Sequence, residues 1–270
     1  MFASRSGNER GQLSNAETIA FSCEGYMSFL ILCQQQNNDV KDFGLTLRPQ
    51  RPGPENDLMN TFMEQLSIKA PNFWEITAFR EPMLDTGFPD LVLVLWNKKI
   101  TDQWNPYRKE VKSVDLKILH YLYAVGPSSL DELRAVFPMS ISRCLERLEM
   151  AEMIRRSGRK WLSRSLGRNF AVRHIVAIEA KMNEWRVAVR QALRNKWFAS
   201  SSCLLVPKLP RKSESFYRQI QQFEIDVFHK DNPVVSFFNR PSGNLPSSYA
   251  SWLFNEWAWR ASCFSDLKEP

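Results

Sequence analysis

Phe88-Pro89-Asp90-Leu91-Val92-Leu93-Val94 (FPDLVLV) and Ile175-Val176-Ala177-Ile178-Glu179-Ala180-Lys181 (IVAIEAK) decide how this chain is read. Each is a short apolar run with β-branched residues, the pattern of a buried strand. Each also carries charge where such a strand should carry none: Asp90 in the first, Glu179 and Lys181 in the second. Unpaired ionised groups are costly to bury, so these carboxylates require a compensating cation. Side chains alternate faces along a strand, which puts Glu179 and Lys181 on one side and Ala180 on the other. With the Asp90 strand alongside, two acids and an ammonium converge. That is an oxygen-rich set suited to Mg²⁺ and to cleavage of a phosphodiester.

Outward from these runs, the spacing predicts further elements. Leu58, Phe62 and Leu66 share one helical face, in a helix launched at Glu55 by the Pro-rich turn Leu47–Pro54. Trp74–Met83 and Phe88–Trp96, joined through Leu84-Asp85-Thr86-Gly87, read as a β-hairpin. After a connector near 102–110, three helical stretches follow: Val114–Val125, Leu130–Phe137 behind a capping serine, and Ile141–Ile154 with Ile141, Cys144, Leu145 and Leu148 inward. Arg155–Arg164 then makes a basic hairpin around Ser157-Gly158. The remainder alternates a strand (His174–Lys181), a helix (Trp185–Phe198), a strand (Cys203–Pro207) and a helical stretch (Ser215–Gln222). Phe223–Phe228 and Val234–Phe238 are expected to close the sheet. Residues 1–16 read as a loose polar tail, and Thr18–Gln36 as one helix or two short elements.

Pro89-Asp90 followed by Glu179-Ala180-Lys181, on apolar strands in that order, resembles the PD-(D/E)xK superfamily of restriction-endonuclease-like nucleases. The resemblance covers roughly residues 54–99 and 172–208. It implies an α/β fold with a mixed central sheet flanked by helices. It further implies a Mg²⁺ ion, with Mn²⁺ as substitute, held by Asp90, Glu179 and the carbonyl of Ala180, and Lys181 beside the attacking water. The family often adds an acid from the first helix of the core, where Glu55 fits by position and Glu64 is the other choice. Gln191 resembles a glutamine that some branches carry on the next helix; it reads equally as an exposed helix residue. Asp90 and Glu179 lie 89 residues apart, far more than neighbouring strands need, so an inserted domain is expected between them. Helix, helix, helix and basic wing in that interval resemble a winged helix-turn-helix. The chain then divides into a tail and an undetermined element (1–45), the first part of the core (46–110), the insertion (111–167), and the second part with a C-terminal extension (168–270).

Composition narrows the partners. The 270 residues are 44% hydrophobic and 24% charged, ordinary for a globular protein, with a net charge of +7 that favours polyanions. Arg155, Arg156, Arg159, Lys160, Arg164, Arg168 and Arg173 form a run of seven basic residues with no acid, suited to phosphate contacts. Ser140, Arg143 and Arg147 share the polar face of the third helix and are the candidates for a DNA groove. Arg186, Arg190 and Arg194 line one side of a later helix, facing either a nucleic-acid channel or solvent. Five dispersed cysteines and three histidines argue against a zinc site or a disulfide framework and suit a reducing cytoplasm. No apolar run reaches the ~20 residues of a membrane span. The late tryptophans 197, 252, 257 and 259 are read mainly as packing. The expected activity is a metal-dependent endonuclease acting on duplex DNA, a homodimer if both strands are cut. The rivals are a non-catalytic DNA-binding regulator and a protein-interaction module.

Overall fold

The computed structural model describes residues 29–32, 44–69, 74–85, 87–137, 140–209, 213–229, 234–236, 245–246 and 248–265. The tail expected over 1–16 and most of the ambiguous 18–36 stretch lie outside the described residues, as do Phe237 and Phe238.

Strand β1 (Phe29–Leu32) precedes helix α1 (Pro54–Gln65), which Pro54 opens and Glu55 and Asp57 favour through the helix dipole. Its apolar stripe, Leu58, Met59, Phe62 and Met63, is buried. After β2 (Ser67–Lys69), β3 (Trp74–Arg80) and β4 (Leu91–Asn97) pair antiparallel, with Ile76 opposite Leu95. Leu91 to Trp96 are all buried, as a central strand covered on both faces demands.

The chain then leaves the sheet through α2 (Lys98–Thr101) and a 3₁₀ turn (Pro106–Glu110). There follow α3 (Ser113–Ala124), β5 (Ser128–Ser129), α4 (Leu130–Val136), α5 (Ile141–Met150), β6 (Ile154–Ser157) and β7 (Lys160–Ser163). Ser129 caps α4 and Glu132 reaches back to the Ser129 N–H, a reciprocal cap. The three short strands form their own antiparallel sheet in the order β5-β7-β6. Helix α6 (Leu166–Asn169) leads back to β8 (Val172–Ala180), α7 (Trp185–Asn195), β9 (Ser201–Val206), α8 (Glu214–Gln222), β10 (Ile225–His229), β11 (Val234–Ser236) and α9 (Tyr249–Ser265).

The main sheet runs β1-β3-β4-β8-β9-β10. β4 pairs antiparallel with both β3 and β8 and the outer pairs are parallel, so the architecture is α/β around a mixed sheet. One face, with Leu91, Leu93, Val176, Ile178 and Ala180, packs on α1. The other, with Val92, Val94, Ile175 and Ala177, shares a continuous core with α9 and with the excursion between β4 and β8.

Two expectations shift, and one helix is new. Val234–Ser236 does not close the main sheet; it pairs with β2 in a separate two-stranded sheet. Asp90 and Lys181 lie just outside the strands, one residue before β4 and one after β8. Helix α9 has no single apolar stripe: Trp252, Phe254, Trp257 and Ala258 are all buried, as in a helix enclosed on several sides. Trp259 is also buried, stacked edge-on against Trp104, so three late tryptophans serve packing.

Both ends of the excursion are fastened to α9. Arg108 is buried, and its Nε donates to both oxygens of Glu256 at 3.2 and 3.0 Å, while Nη2 reaches the Asn169 carbonyl at 2.6 Å. Its guanidinium lies 3.3 Å from the centroid of the Trp104 ring. Asn255 Oδ1 accepts from the Ala171 and Val172 N–H groups, and Arg260 donates to the carbonyls of Arg108 and Val111. Breaking a buried pair by removing one partner costs about 3–5 kcal/mol, because the other charge is stranded. Glu256→Gln should therefore cut the unfolding free energy in urea by roughly that amount. The joint change Arg108→Met, Glu256→Leu should recover most of it.

Candidate active site

The register Leu91 opposite Ile178 brings Asp90 and Glu179 to the same end of the β4–β8 pair. Asp90 is pinned there: its Oδ2 accepts the Ala180 N–H at 2.7 Å. Ala180 itself packs in the core on the α1 side, while Glu179 turns to the opposite face, as alternation requires. Glu179 is 3% exposed; Oε1 accepts from Asn195 Nδ2 at 2.7 Å, and Oε2 is buried with no hydrogen-bond partner. Lys181 Nζ donates to Glu55 Oε2 at 2.7 Å. The Asp90 charge acts on both Glu179 and Lys181, and it is Glu55, not Glu64, that bonds Lys181. Glu64 is exposed in the last turn of α1.

Electrostatics follow from burial. Desolvation and the neighbouring Asp90 carboxylate push Glu179 up to about 8, against the Asn195 hydrogen bond and the Lys181 charge. Asp90 is also raised: burial outweighs the stabilising Ala180 N–H and the Lys181 ammonium. Burial acts to lower the Lys181 value, but the Glu55 hydrogen bond and the charges of Asp90, Glu55 and Glu179 prevail and hold it above the ordinary lysine range.

Three participants carried no recognisable motif. Glu81 sits at φ 52°, a left-handed backbone unusual for a residue with a side chain, and its N–H donates to the Asp90 carbonyl at 3.2 Å. Its carboxylate pairs with Arg48, whose guanidinium also covers the Phe88 ring. Burial and Asp90 raise the Glu81 pKa. The third is Asn195, in the last turn of α7. The only hint in the sequence is the charged pair Arg80-Glu81 ending an apolar strand. Arg80 is spent on structure, tying β3 to Asn56 and Asn60 of α1. Gln191 lies one turn before Asn195, its Oε1 buried without a partner rather than solvated.

Among the described residues, no group of three or more His, Cys, Asp and Glu side chains is arranged to hold a metal ion. Mg²⁺, however, retains several waters and needs only one or two protein carboxylates plus substrate oxygens. Two desolvated carboxylates, one with an orphaned buried oxygen, fit that requirement.

The basic residues divide. Arg155, Arg156, Arg159 and Lys160 are exposed on the β6–β7 hairpin, and Arg164 is half-buried. On α5, Ser140 and Arg143 are exposed, alongside the acidic Glu146 and Glu149. Arg147 needs correction: it is committed to Asp115 of α3, donating through Nε and Nη2 at 2.7 and 2.6 Å. Asp115 is fully buried and demands that partner, so packing takes the arginine from the groove-facing set. Arg186, Arg190 and Arg194 are exposed along α7. Among the described residues no helix is long and apolar enough to cross a membrane, and Cys144 and Cys203 are buried free thiols.

A carboxyl whose folded-state pKa is raised binds a proton that the unfolded chain has lost, so its contribution to stability falls as pH rises from its ordinary value of 4.5 toward about 8. In EDTA, wild-type melting temperature should drop between pH 5 and pH 8 by several degrees more than that of Glu179→Gln. The variant should be the more stable of the two at pH 8, read by differential scanning fluorimetry.

No protein-family model, curated protein or solved structure matches this chain, so what the cluster can do must come from its own geometry.

Proposed function

We propose that the protein is a metal-dependent DNA endonuclease of the PD-(D/E)xK, restriction-endonuclease-like kind, with residues 111–167 a winged helix-turn-helix that engages duplex DNA. One observation carries this: β4 and β8 pair directly across the long excursion, delivering Asp90 and Glu179 together with Lys181 and Glu55. The excursion supports the DNA-binding half through its element order, three helices and a three-stranded sheet whose terminal hairpin is basic and exposed. A duplex DNA substrate would place the protein inside the cell.

Asp90 and Glu179 would hold the cation. The Ala180 carbonyl leaves the strand on the same edge as its N–H, which already points at Asp90. Bound there, Mg²⁺ would supply Lewis-acid polarisation of the scissile phosphate and make water more acidic. Burial keeps bulk water from screening the two carboxylates. Lys181, kept protonated by Glu55, orients the attacking water and offsets charge developing on the phosphate oxygens. Attack forms one P–O bond and breaks the ester P–O bond, leaving a phosphomonoester and a hydroxyl. Glu55, 44% exposed, can change partner as substrate enters, freeing the ammonium. The wing contributes affinity through phosphates, which carries no sequence information.

The absence of a three-ligand cluster among the described residues favours one rival, a DNA-binding regulator on the same scaffold. Plasmid incubated with protein and Mg²⁺ or Mn²⁺ separates the two: the regulator retards the band and never nicks it. For the nuclease, Asp90→Ala and Lys181→Ala should each lower cleavage by at least about 100-fold with duplex binding retained, and EDTA should abolish it. Equal cleavage by wild type and both variants would end the assignment. Replacing Arg155, Arg156, Arg159 and Lys160 by alanine should reduce the slope of log K against log salt by about 3–4, measured by fluorescence anisotropy on duplex DNA.

A further inference from the structure

We propose that Asn195 is a positioning residue for the cation site: it holds one oxygen of Glu179 so that the other stays available to a cation shared with Asp90. This rests on the metal-dependent reading above. Asn195 is 5% exposed, and its amide donates to Glu179 Oε1 at 2.7 Å. Apart from Gln191, whose Oε1 is buried, the inward face of α7 is small and apolar, with Ala188, Val189 and Ala192 buried, so packing alone does not ask for an amide at 195. A buried amide is tolerated only when bonded.

The bond does something an apolar neighbour could not. The terminal torsion of a glutamate is soft, so a carboxylate without a fixed donor swings freely about it. Here one oxygen is tethered while Oε2 is desolvated and without a hydrogen-bond partner. A buried acceptor left in that state is costly unless a ligand completes it. Asp90 is arranged in the same way, with Oδ2 held by the Ala180 N–H. Each carboxylate is therefore oriented by one protein N–H, a main-chain donor for Asp90 and a side-chain donor from a different helix for Glu179. Outer partners of this type are worth 10–100-fold in metal affinity or activity.

The test is binding of Mn²⁺ alone to the full chain, followed by electron paramagnetic resonance of the free ion, for wild type, Asp90→Asn, Asn195→Ala and Asn195→Asp. The aspartate variant keeps the side-chain volume and removes the donor. Both Asn195 variants should bind Mn²⁺ about 10–100-fold more weakly than wild type, with near wild-type circular dichroism. Raising Mn²⁺ should restore their cleavage rate, which a damaged fold would not allow. Wild-type binding lost in Asp90→Asn but retained within twofold in both Asn195 variants would overturn the role of Asn195 and leave the metal reading standing. Absence of Mn²⁺ binding by wild type would overturn both. Failure of both Asn195 variants to fold would assign the residue to the scaffold and overturn the proposal.

Discussion

The adjacency of β4 and β8 is the constraint on which everything else depends, because the chain leaves the sheet after one strand and must return in register for the other. A slip of one residue would carry Glu179 to the α1 face and Ala180 to the opposite one. The excursion is closed at its neck, next to the strand whose register matters. Arg108 on the way out bonds both the Asn169 carbonyl on the way back and Glu256, while Asn255 receives the Ala171 and Val172 N–H groups of the returning segment. Closing a long loop costs little more than closing a medium one, so an insertion of this size is tolerable once its ends are clamped. The clamp is charged and buried, hence unforgiving of single changes. It also explains why α9, at the far end of the chain, belongs to the core from which the site is built.

The site itself is kept under electrostatic tension. Glu179 and Asp90 are desolvated side by side, Glu81 adds a third raised carboxyl nearby, and Lys181 is partly satisfied by Glu55. A packed core has no use for such an arrangement, and proteins tend to concentrate such costs at functional places. A proton relieves the tension in the isolated chain; a divalent cation would relieve it more fully and leave the carboxylates charged. The backbone at Glu81 contributes in the same direction, since its left-handed turn directs an N–H to the Asp90 carbonyl. Positioning of the acid pair is thus shared among β3, β8 and α7.

In the excursion, sequence pattern and packing compete for the same arginines. Arg143 and Arg147 look equivalent along α5, yet only Arg147 lies within reach of the buried Asp115, which claims it. The arginines of the β6–β7 hairpin escape that fate because the hairpin is too short to bury them. What faces outward from α5 is mixed, one arginine with two glutamates, while the hairpin is uniformly basic. If the excursion engages DNA as proposed, that contrast suits phosphate contact through the hairpin more than dense base reading by the helix.

Local pattern by itself determined the strands around Asp90 and Glu179, the start of α1 at Pro54-Glu55, the capped helix after Ser129, and the basic hairpin. Each depends on alternation, periodicity or turn chemistry within a few residues. It also singled out Asp90, Glu179 and Lys181, because charge beside an apolar strand is visible without a fold, whereas Glu55 is suggested only by the family resemblance. Only the tertiary structure decided that Asn195 orients Glu179, that Glu81 and Arg48 border Asp90, that Arg147 serves Asp115, and that Arg108 meets Glu256. Those pairings join residues up to 148 positions apart. Nothing in their own neighbourhoods distinguishes them from solvated polar residues until folding removes the water and leaves each with one partner.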